Sequence, residues 1–322
     1  MDSVTLRCHL PLVDYREGVS IPALQIHPEV AAALAANQPV VALESTIISH
    51  GLPRPRNLEV ARDIEQAVRD AGAVPATIAV VDGVARIGLD ADALSTIAND
   101  PTVVKVSVRD LGPLSASRGH GATTVAATSH LAMLAGIRVF ATGGLGGVHR
   151  MARETWDESA DLTTLSTTPI TVVCAGVKSI LDIPATLERL ETLNIPVLTY
   201  GTNAFPGFYL SDAGYRVDTR VEHAHDIAAI MRRRDEWRLH GGVVVAQPLP
   251  EHLQLDPQLH DRVLAAGLAA AEAAHVRGKD VTPFLLDFFH RETAGASLEV
   301  NITIVLRNAA LAAEIATEFV RQ

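Results

Sequence analysis

The feature that most constrains the fold is a regular alternation of short, almost wholly apolar runs with longer segments of helical periodicity. Strands that are covered on both faces have such apolar sequences. The predicted strands are Val40–Leu43, Thr77–Val81, Val103–Val106, Val139–Thr142, Thr171–Cys174, Val197–Tyr200 and Val243–Ala246. The predicted helices are Leu58–Ala71, Thr123–Leu134, Ile180–Leu193, His225–Arg238, Arg262–His275 and Leu298–Arg321. This order predicts an α/β fold, a three-layer α/β/α sandwich with a mostly parallel central sheet.

No composition shift, internal repeat or low-complexity stretch divides the 322 residues. We therefore expect residues 1–322 to form a single domain, with residues 1–25 as an irregular N-terminal extension. Residues 201–222 are rich in glycine, aspartate and aromatic side chains. They are expected to form a long loop near a site or an interface, because loops of this length are usually functional.

Charge, cysteine content and hydropathy exclude several classes of protein. The formal net charge is −10 and no basic run exceeds Arg232–Arg234, so nucleic-acid binding is not expected. Two cysteines, Cys8 and Cys174, give neither a disulfide framework nor a CxxC motif, which favours a reducing compartment. No apolar run approaches the ~18 residues of a membrane span, and residues 1–19 lack the pattern of a signal peptide. We therefore expect a cytoplasmic protein that acts on a small molecule.

Lysine is rare in this chain. Only Lys105, Lys178 and Lys279 occur among the 27 Lys and Arg residues, and the first two lie in apolar surroundings. Burial disfavours the charged form of an amine, and a neutral amine is the nucleophile that a Schiff-base enzyme requires. The alternative is that coding bias favours arginine, and that both are strand-end lysines whose amines reach water.

Polar residues follow several predicted strands directly. Glu44 follows VVAL, Lys105 lies within VVKV, the glycine-rich GGLGGVHR segment follows VFAT, and Lys178 comes just after VVCAG. In open α/β sheets, ligands bind beyond the carboxyl ends of the strands. A partly desolvated carboxyl group such as Glu44 can donate a proton near neutral pH, although a helix cap or an ion pair with arginine would explain it equally.

Three further segments contain side chains or backbone groups that suit an anion or a metal ion. Residues 118–134 form a glycine-containing turn before a helix, which suits a phosphate or simply a helix capped by a threonine. His149 and Arg150 could pair with an anion. Asp157 and Asp161 are four residues apart, so on a helical turn they would share a face, and clustered carboxylates suit Mg²⁺ or Mn²⁺. A solvated acidic loop is the alternative.

Taken together, these segments resemble the pseudouridine-5′-phosphate glycosidases, also called pseudouridylate synthases or the indigoidine synthase A family. The resemblance begins near Pro39 and runs in order to the C-terminus. The matching stretches are PVVALESTIISHGLPRPRN, GAVPATIAVVDG, VKVSVRDL, GATTVAAT, AGIRVFATGGLGGVHR, DESADL, TVVCAGVKSILD, VTPFLL and SLEVNITIVLRNAALAAEIA. The resemblance implies an α/β/α sandwich, a homotrimer, and a Mn²⁺ ion near the substrate phosphate.

The resemblance also implies roles for individual residues. Lys178 is expected to attack C1′ of the ribose and Glu44 to donate the proton, while Asp157 is expected to hold the metal. Residues expected to contact substrate are Lys105, Val125 through its N–H group, Ser159, Ala160, Asp161, His149 and Asn301. An amine at C1′ opens the sugar and provides an iminium as an electron sink, so that cleavage of the carbon–carbon bond requires only a proton on the uracil carbon. Hydrolysis of the imine then releases ribose 5-phosphate.

Departures from the family pattern leave the aglycone open. Where the family usually has an arginine, a glycine and an apolar pair, this chain has Val108, Asp82 and Ser129-His130. Met151-Ala152-Arg153 and Trp156 differ from the small and Phe residues that are common in the family. The expected activity is reversible cleavage of pseudouridine 5′-phosphate to uracil and ribose 5-phosphate. The first alternative is a C-glycosynthase that joins ribose 5-phosphate to a non-uracil aromatic aglycone, as in alnumycin biosynthesis. The second is a protein that binds ribose phosphates without catalysis.

Overall fold

The computed structural model describes residues 24–321, apart from the side chain of Lys279. The strands are β1 (Leu24–Ile26), β2 (Val40–Leu43), β3 (Val74–Val81), β4 (Val84–Ile87), β5 (Val104–Val106), β6 (Gly121–Thr123), β7 (Val139–Ala141), β8 (Thr171–Cys174), β9 (Val197–Tyr200), β10 (Arg220–Val221) and β11 (Val243–Ala246). The helices are α1 (Pro28–Ala35), α2 (Arg56–Asp70), α3 (Ala91–Asn99), α4 (Val108–Ala116), α5 (Val125–Leu134), α6 (Ala152–Thr155), α7 (Ala160–Leu165), α8 (Ile183–Thr192), α9 (Ala224–Glu236), α10 (Pro257–Ala273), α11 (Val281–Glu292) and α12 (Ala296–Val320).

The strands form one mostly parallel sheet in the order β1-β4-β3-β2-β7-β8-β11-β9-β10, and β6 pairs with both β3 and β5 beside this row. The central strands β2, β7, β8, β11 and β9 are all parallel. The antiparallel pairs are β3 with β4 and β3 with β6. Because the central strands are parallel, the residues that follow β2, β7 and β8 lie together at one edge of the sheet.

Alternate residues of the central strands enter two separate cores. In β2, Val41 and Leu43 pack with α2, α9 and α12 on one face. Val40 and Ala42 pack with α1, α5, α7 and α8 on the other face. Since successive side chains of a strand point to opposite faces, covering both faces requires the wholly apolar sequence that marks these strands. The predicted three-layer α/β/α sandwich is confirmed.

Helix α12 is the central helix of the first core. It is long and apolar enough to cross a membrane, with a mean hydropathy of 1.2 over its most apolar window, which the sequence analysis did not anticipate. However, 67% of that window is buried inside the fold, against α2, α9 and the sheet. Its apolar character is therefore explained by packing within this domain.

Four predicted strands have the observed bounds, those that form β2, β8, β9 and β11, and the six predicted helices correspond to α2, α5, α8, α9, α10 and α12. The predicted helix start at Thr123 is wrong, because Gly121–Thr123 is strand β6. The elements that were not predicted are strands β1, β4, β6 and β10 and helices α1, α3, α4, α6, α7 and α11. Residues 24–26 form β1, so the prediction of an irregular extension over 1–25 is wrong for residues 24 and 25; residues 1–23, including Cys8, lie outside the described residues.

Candidate active site

Glu44, Lys105 and Lys178 line one cleft at the carboxyl edge of the sheet. The cleft has two lobes that share these three side chains, together with Thr46 and Thr282. The polar lobe spans about 1050 Å³, including space that is open to solvent, and its wall includes Ser107, Arg109, Thr124, Val125, Gly146, His149, Asp157, Glu158, Ser159, Ala160 and Asp161. The second lobe spans about 460 Å³, measured in the same way, and is largely apolar, with Ile47, His50, Gly51, Gly143, Gly144, Phe208, Pro283, Leu286 and Asn301.

Lys178 follows β8 and lies against the glycine segment that follows β7. Its N–H group donates to the carbonyl of Leu145 over 3.1 Å. A Cβ atom on Gly144 would stand 3.2 Å from Cγ of Lys178 and only 2.6 Å from the Phe208 ring. Glycine at 144 therefore makes room for both the lysine stem and the aromatic ring, and the amine reaches the junction of the two lobes.

Glu44 follows β2 and is held by Thr142, which follows the neighbouring strand β7. The Thr142 hydroxyl donates a hydrogen bond to Oε1 of Glu44. Burial raises the pKa of the Glu44 carboxyl above its usual value, and the nearby Lys178 cation and the Thr142 hydrogen bond partly offset this. A raised pKa keeps the carboxyl group protonated to higher pH, which favours a role as general acid.

Lys105 lies on β5 with its amine in the same cleft. Burial lowers its pKa, and the positive charge of Lys178 lowers it further, whereas Asp161 and Glu44 act in the opposite direction. The site thus places two amines and two carboxyl groups within electrostatic reach of one another. Lys105 lines both lobes, so it can contact a ligand that spans them.

The polar lobe is built around the N-terminus of α5. The N–H of Val125, the first residue of α5, has no partner within the helix, and Thr124 caps the helix by accepting from the N–H of Ala127 over 3.4 Å. Asp161, 5% exposed, accepts from the N–H groups of Ala126 and Gly146, each over 2.9 Å. Asp161 therefore links the helix to the glycine segment. Among residues 24–321 the N–H of Val125 has no hydrogen-bond partner, so it is available for an anion.

Ser159 and Gly146 pack closely in the wall of the polar lobe. The Ser159 hydroxyl accepts from the N–H of Asp161 over 3.2 Å. A Cβ atom on Gly146 would stand 2.3 Å from the Ser159 hydroxyl and 2.5 Å from Asp161 Oδ2. Only glycine at 146 lets its backbone N–H approach the carboxylate, which explains one of the glycines after β7.

Asp157 and His149 stand beside each other in the same lobe. Oδ2 of Asp157 lies 3.6 Å from Nδ1 of His149, and burial lowers the pKa of His149 while Asp157 opposes this. The predicted shared face of Asp157 and Asp161 is wrong, because Asp157 precedes α7 and Asp161 binds backbone N–H groups. Glu158 is also engaged, with Arg189 at 2.9 Å.

The residues around Asp157 can be tested against a metal site. Among the described residues, no group of three or more His, Cys, Asp and Glu side chains is placed to hold a metal ion. Mg²⁺ and related cations are often held by one or two carboxylates, with water and substrate phosphate as the other ligands. Asp157 on the wall of the polar lobe fits that arrangement, and it does not fit a closed cage made of protein ligands.

Asn301, which the sequence analysis expected to contact substrate, lines the apolar lobe from α12. It is 4% exposed, and its Oδ1 atom has no hydrogen-bond partner within the described part of the chain. That atom lies 3.3 Å from the position of a Cβ on Gly143, and Phe208 lies beside it. A buried amide oxygen is costly to leave without a hydrogen bond, so Oδ1 of Asn301 is an acceptor that a donor group of a ligand in this lobe could use.

Sequence reasoning did not single out Thr142, Phe208 or Asn308 at this site. Asn308, 1% exposed on α12, donates through Nδ2 to the carbonyl of Thr142 over 2.8 Å and so fixes the residue that holds Glu44. The signal for Thr142 was present, because it follows an apolar strand as Glu44 does. Phe208 comes from the loop 201–222, which was expected to lie near a site.

Burial raises the pKa of Cys174 to about 12, so this thiol is not a nucleophile at neutral pH.

Comparisons with known proteins find relatives over most of the chain. The family model described as "Indigoidine synthase A like protein" matches residues 29–318. A pseudouridine-5′-phosphate glycosidase of Salinispora tropica is 62% identical over 289 residues, which are 89% of each chain. One of Streptomyces griseus is 60% identical over 289 residues, 89% of this chain and 90% of the relative.

Two solved structures share the fold over almost their whole length. The prealnumycin C-glycosynthase, solved in complex with ribulose 5-phosphate, has a TM-score of 0.85 and 37% identity. An indigoidine synthase A-like protein of Thermotoga maritima has a TM-score of 0.84 and 34% identity. Each match covers 92% of this chain and 97% of the other.

Proposed function

The chain belongs to the family of indigoidine synthase A like proteins, and we propose that it reversibly cleaves the C-glycosidic bond of pseudouridine 5′-phosphate to give uracil and ribose 5-phosphate. The observation that carries this proposal is the meeting of Glu44, Lys105 and Lys178 where a polar and an apolar lobe join. A sugar phosphate fits the polar lobe, a flat base fits the apolar lobe, and the bond between them falls beside the amine and the acid.

The first chemical step is an attack by the amine of Lys178. Its nitrogen lone pair forms a bond to C1′ of the ribose as the bond between C1′ and the ring oxygen breaks, and the ring oxygen takes up the proton that the nitrogen then loses. The sugar is now open, and C1′ carries both the lysine nitrogen and the uracil carbon. Arginine could not take this role, because its guanidinium stays protonated.

The second step breaks the carbon–carbon bond. The electron pair of that bond moves to the uracil carbon, which receives a proton from Glu44, while the lysine nitrogen donates its lone pair to C1′ and forms the imine (Schiff base). Water then adds to the imine, and ribose 5-phosphate leaves as the amine is restored. The raised pKa of Glu44 supports this role, because the carboxyl keeps its proton to higher pH than an exposed glutamate does.

The polar lobe is suited to the phosphate and hydroxyl groups of the sugar. We assign the phosphate to the N–H of Val125 at the start of α5, with Ser159 and Ala160 on the same wall. Lys105 supplies positive charge from β5, and Asp161 keeps the two backbone segments of this wall together. His149 stands at the side of Asp157 within reach of the same ligand.

Asp157 would hold a divalent cation, Mn²⁺ by resemblance to the family. Such an ion, when bound, neutralises the negative charge of the phosphate. His149 lies beside Asp157, while Glu158 is turned to Arg189, so the ion would take its remaining ligands from water and the phosphate. The sugar phosphate and the ion would therefore bind together, each strengthening the binding of the other.

The apolar lobe supports a pyrimidine base as the aglycone. The unpartnered Oδ1 of Asn301 can accept a hydrogen bond from an N–H of uracil, and the Phe208 ring lies along the same wall. A C-glycosynthase that uses another aromatic aglycone is the second candidate, supported by the likeness to the prealnumycin C-glycosynthase. The higher identity to pseudouridine-5′-phosphate glycosidases, 50–62%, favours uracil.

Assembly and location complete the proposal. We expect a cytoplasmic homotrimer, as the family resemblance implies. Trp156 and Met151, 86% and 60% exposed, follow the glycine segment beside the cleft and offer apolar surface that a neighbouring subunit could cover. Light scattering after gel filtration would give the mass of the assembly, and a monomeric mass at working concentration would contradict the homotrimer.

Turnover with defined aglycones tests the proposed function. Purified protein is incubated with pseudouridine 5′-phosphate, and uracil and ribose 5-phosphate are quantified in parallel. Equal amounts of both products are expected. Formation of a sugar-phosphate adduct without uracil release would favour the C-glycosynthase, and binding without either would favour a non-catalytic protein.

A further inference from the structure

The segment that carries Lys178 is anchored on its inner side by backbone hydrogen bonds. Residues between β8 and α8 have no regular secondary structure. The N–H of Leu145 donates to the carbonyl of Gly176 over 2.9 Å, and the N–H of Asp182 donates to the carbonyl of Val148 over 2.9 Å. Together with the bond from Lys178 to Leu145, these contacts fix both ends of the segment on the glycine-rich residues that follow β7.

Arg150 anchors the middle of this segment from the other side. Its Nη2 donates to the carbonyl of Ser179 over 3.0 Å, and its Nε donates to the carbonyl of Ile180 over 3.2 Å. One planar guanidinium edge therefore binds the two peptide carbonyls that come directly after Lys178. Within residues 24–321, Arg150 forms no ion pair, so these two bonds are its polar contacts. The sequence analysis suggested that Arg150 could pair with an anion; in the structure its guanidinium binds two peptide carbonyls.

Arg150 does not face the catalytic cleft. Neither lobe includes it. It lines a separate cavity of about 690 Å³ on the far side of the Lys178 segment, together with Ser179, Asp182 and Tyr215. Any effect of Arg150 on the reaction must therefore pass through the peptide groups that it binds, and not through contact with the substrate.

We propose that Arg150 is a positioning residue, which fixes the peptide groups after Lys178 and thereby aims the amine at C1′ of the sugar. This inference rests on the proposed role of Lys178 as the nucleophile. A displacement of about 1 Å in a reacting group can cost roughly 10²-fold in rate. Lysine at position 150 would not replace arginine, because a single ammonium group cannot reproduce the planar fork that binds two carbonyls.

The test compares Arg150→Ala and Arg150→Lys with Arg233→Ala. Arg233 is an exposed arginine that pairs with Glu236 on the surface, so it serves as the matched control. Each protein is mixed with ribose 5-phosphate and quenched with borohydride at increasing times, and its affinity for ribose 5-phosphate is measured separately. Both Arg150 variants are expected to form the adduct about 10²-fold more slowly with unchanged affinity, whereas Arg233→Ala should match the unaltered protein.

Chemical rescue separates positioning from a general structural role. The cavity beside Arg150 is large enough for a free guanidinium ion, so millimolar guanidinium chloride should restore adduct formation by Arg150→Ala. The same concentration of ammonium chloride should not. An unimpaired rate in Arg150→Ala, or a fall in affinity equal to the fall in rate, would overturn the inference.

Two controls keep the test decisive. If Arg150→Ala fails to fold, Arg150→Lys retains the charge and most of the length, and an unimpaired rate in that variant would overturn the inference. If the unaltered protein forms no adduct, the proposed function of Lys178 is contradicted, and the inference fails with it. If the unaltered protein forms the adduct and the Arg150 variants form it equally fast, only the inference about Arg150 fails.

Discussion

The hydroxyl of Thr142 donates a hydrogen bond to the carboxyl group of Glu44, which joins the ends of two adjacent parallel strands. The carbonyl of the same threonine accepts from Nδ2 of buried Asn308 on α12. The candidate proton donor is therefore oriented by a side chain that the core of the domain holds in place. Such a chain of contacts keeps a reactive group within the narrow range of positions that catalysis requires.

Removal of the Thr142 hydroxyl should move the pH dependence of catalysis. The hydrogen bond favours the charged form of Glu44, so Thr142→Val should raise the pKa of Glu44 further. Because the acid acts only while protonated, kcat/KM falls as pH rises through this pKa, and the alkaline limb should shift to higher pH. Thr142→Ser keeps the hydroxyl and should retain the original limb. A shift of the limb to lower pH in Thr142→Val would contradict this assignment.

Glu44→Gln should block cleavage without blocking imine formation. Loss of a general acid costs about 10²–10⁴-fold, so uracil release should fall by that factor while borohydride still traps ribose 5-phosphate. The raised pKa means that Glu44 favours folding while protonated and loses that contribution as pH rises through its folded-state value. The variant should thus gain stability relative to the unaltered protein at alkaline pH, as urea titrations at several pH values would measure. Full turnover in the variant would exclude Glu44 as the donor.

Asp161→Asn should weaken both the fold and the phosphate site. Asp161 accepts two backbone N–H groups, and an asparagine amide would present a donor to one of them. We expect a loss of roughly 1–3 kcal/mol in the free energy of unfolding and a higher KM for the sugar phosphate. Asp256→Asn is the control, because Asp256 caps α10 through a single N–H and asparagine caps equally well. Equal stability of the two variants would contradict the bridging role of Asp161.

Removal of divalent metal should weaken binding of the sugar phosphate through Asp157. Affinity for ribose 5-phosphate, measured by calorimetry, should fall when a chelator is added. Even without a chelator, Asp157→Asn should bind ribose 5-phosphate with the lower affinity, and addition of a chelator should change that affinity little. Glu158→Gln should keep the response, because the Glu158 carboxylate is turned to Arg189. A chelator effect of the same size in Asp157→Asn would place the metal elsewhere.

The central strands, and the points where β2 and β8 end, could be predicted from the sequence. Strands that are buried on both faces consist almost entirely of apolar residues. Glu44 and Lys178 interrupt that apolar pattern at the edge where parallel strands end. The local sequence around β6, Gly121–Thr123, resembles a turn, and its strand conformation depends on pairing with β3 and β5. Short strands of this kind are set by their neighbours and not by their own residues.

Side chains whose role depends on distant contacts could not be assigned from one sequence. Arg150 lies in a recognisable motif, but its bonds to Ser179 and Ile180 exist only because the chain returns to it about thirty positions later. Asn308 lies in an apolar helix, where nothing in the sequence reveals that it reaches the carbonyl of Thr142.

The departures from the family pattern at Asp82 and Ser129-His130 lie outside the walls of both lobes. Asp82 has a φ of 53°, a left-handed conformation that glycine adopts without steric cost.

The central claim is that the amine of Lys178 forms a covalent bond to the sugar. It is tested most directly by the intact mass of the protein after borohydride treatment with ribose 5-phosphate, followed by peptide mapping. The account predicts one reduced ribose-phosphate adduct on Lys178, which is absent from both Lys178→Ala and the charge-retaining Lys178→Arg. Absence of an adduct from the unaltered protein, or an adduct that persists in both variants, would contradict it.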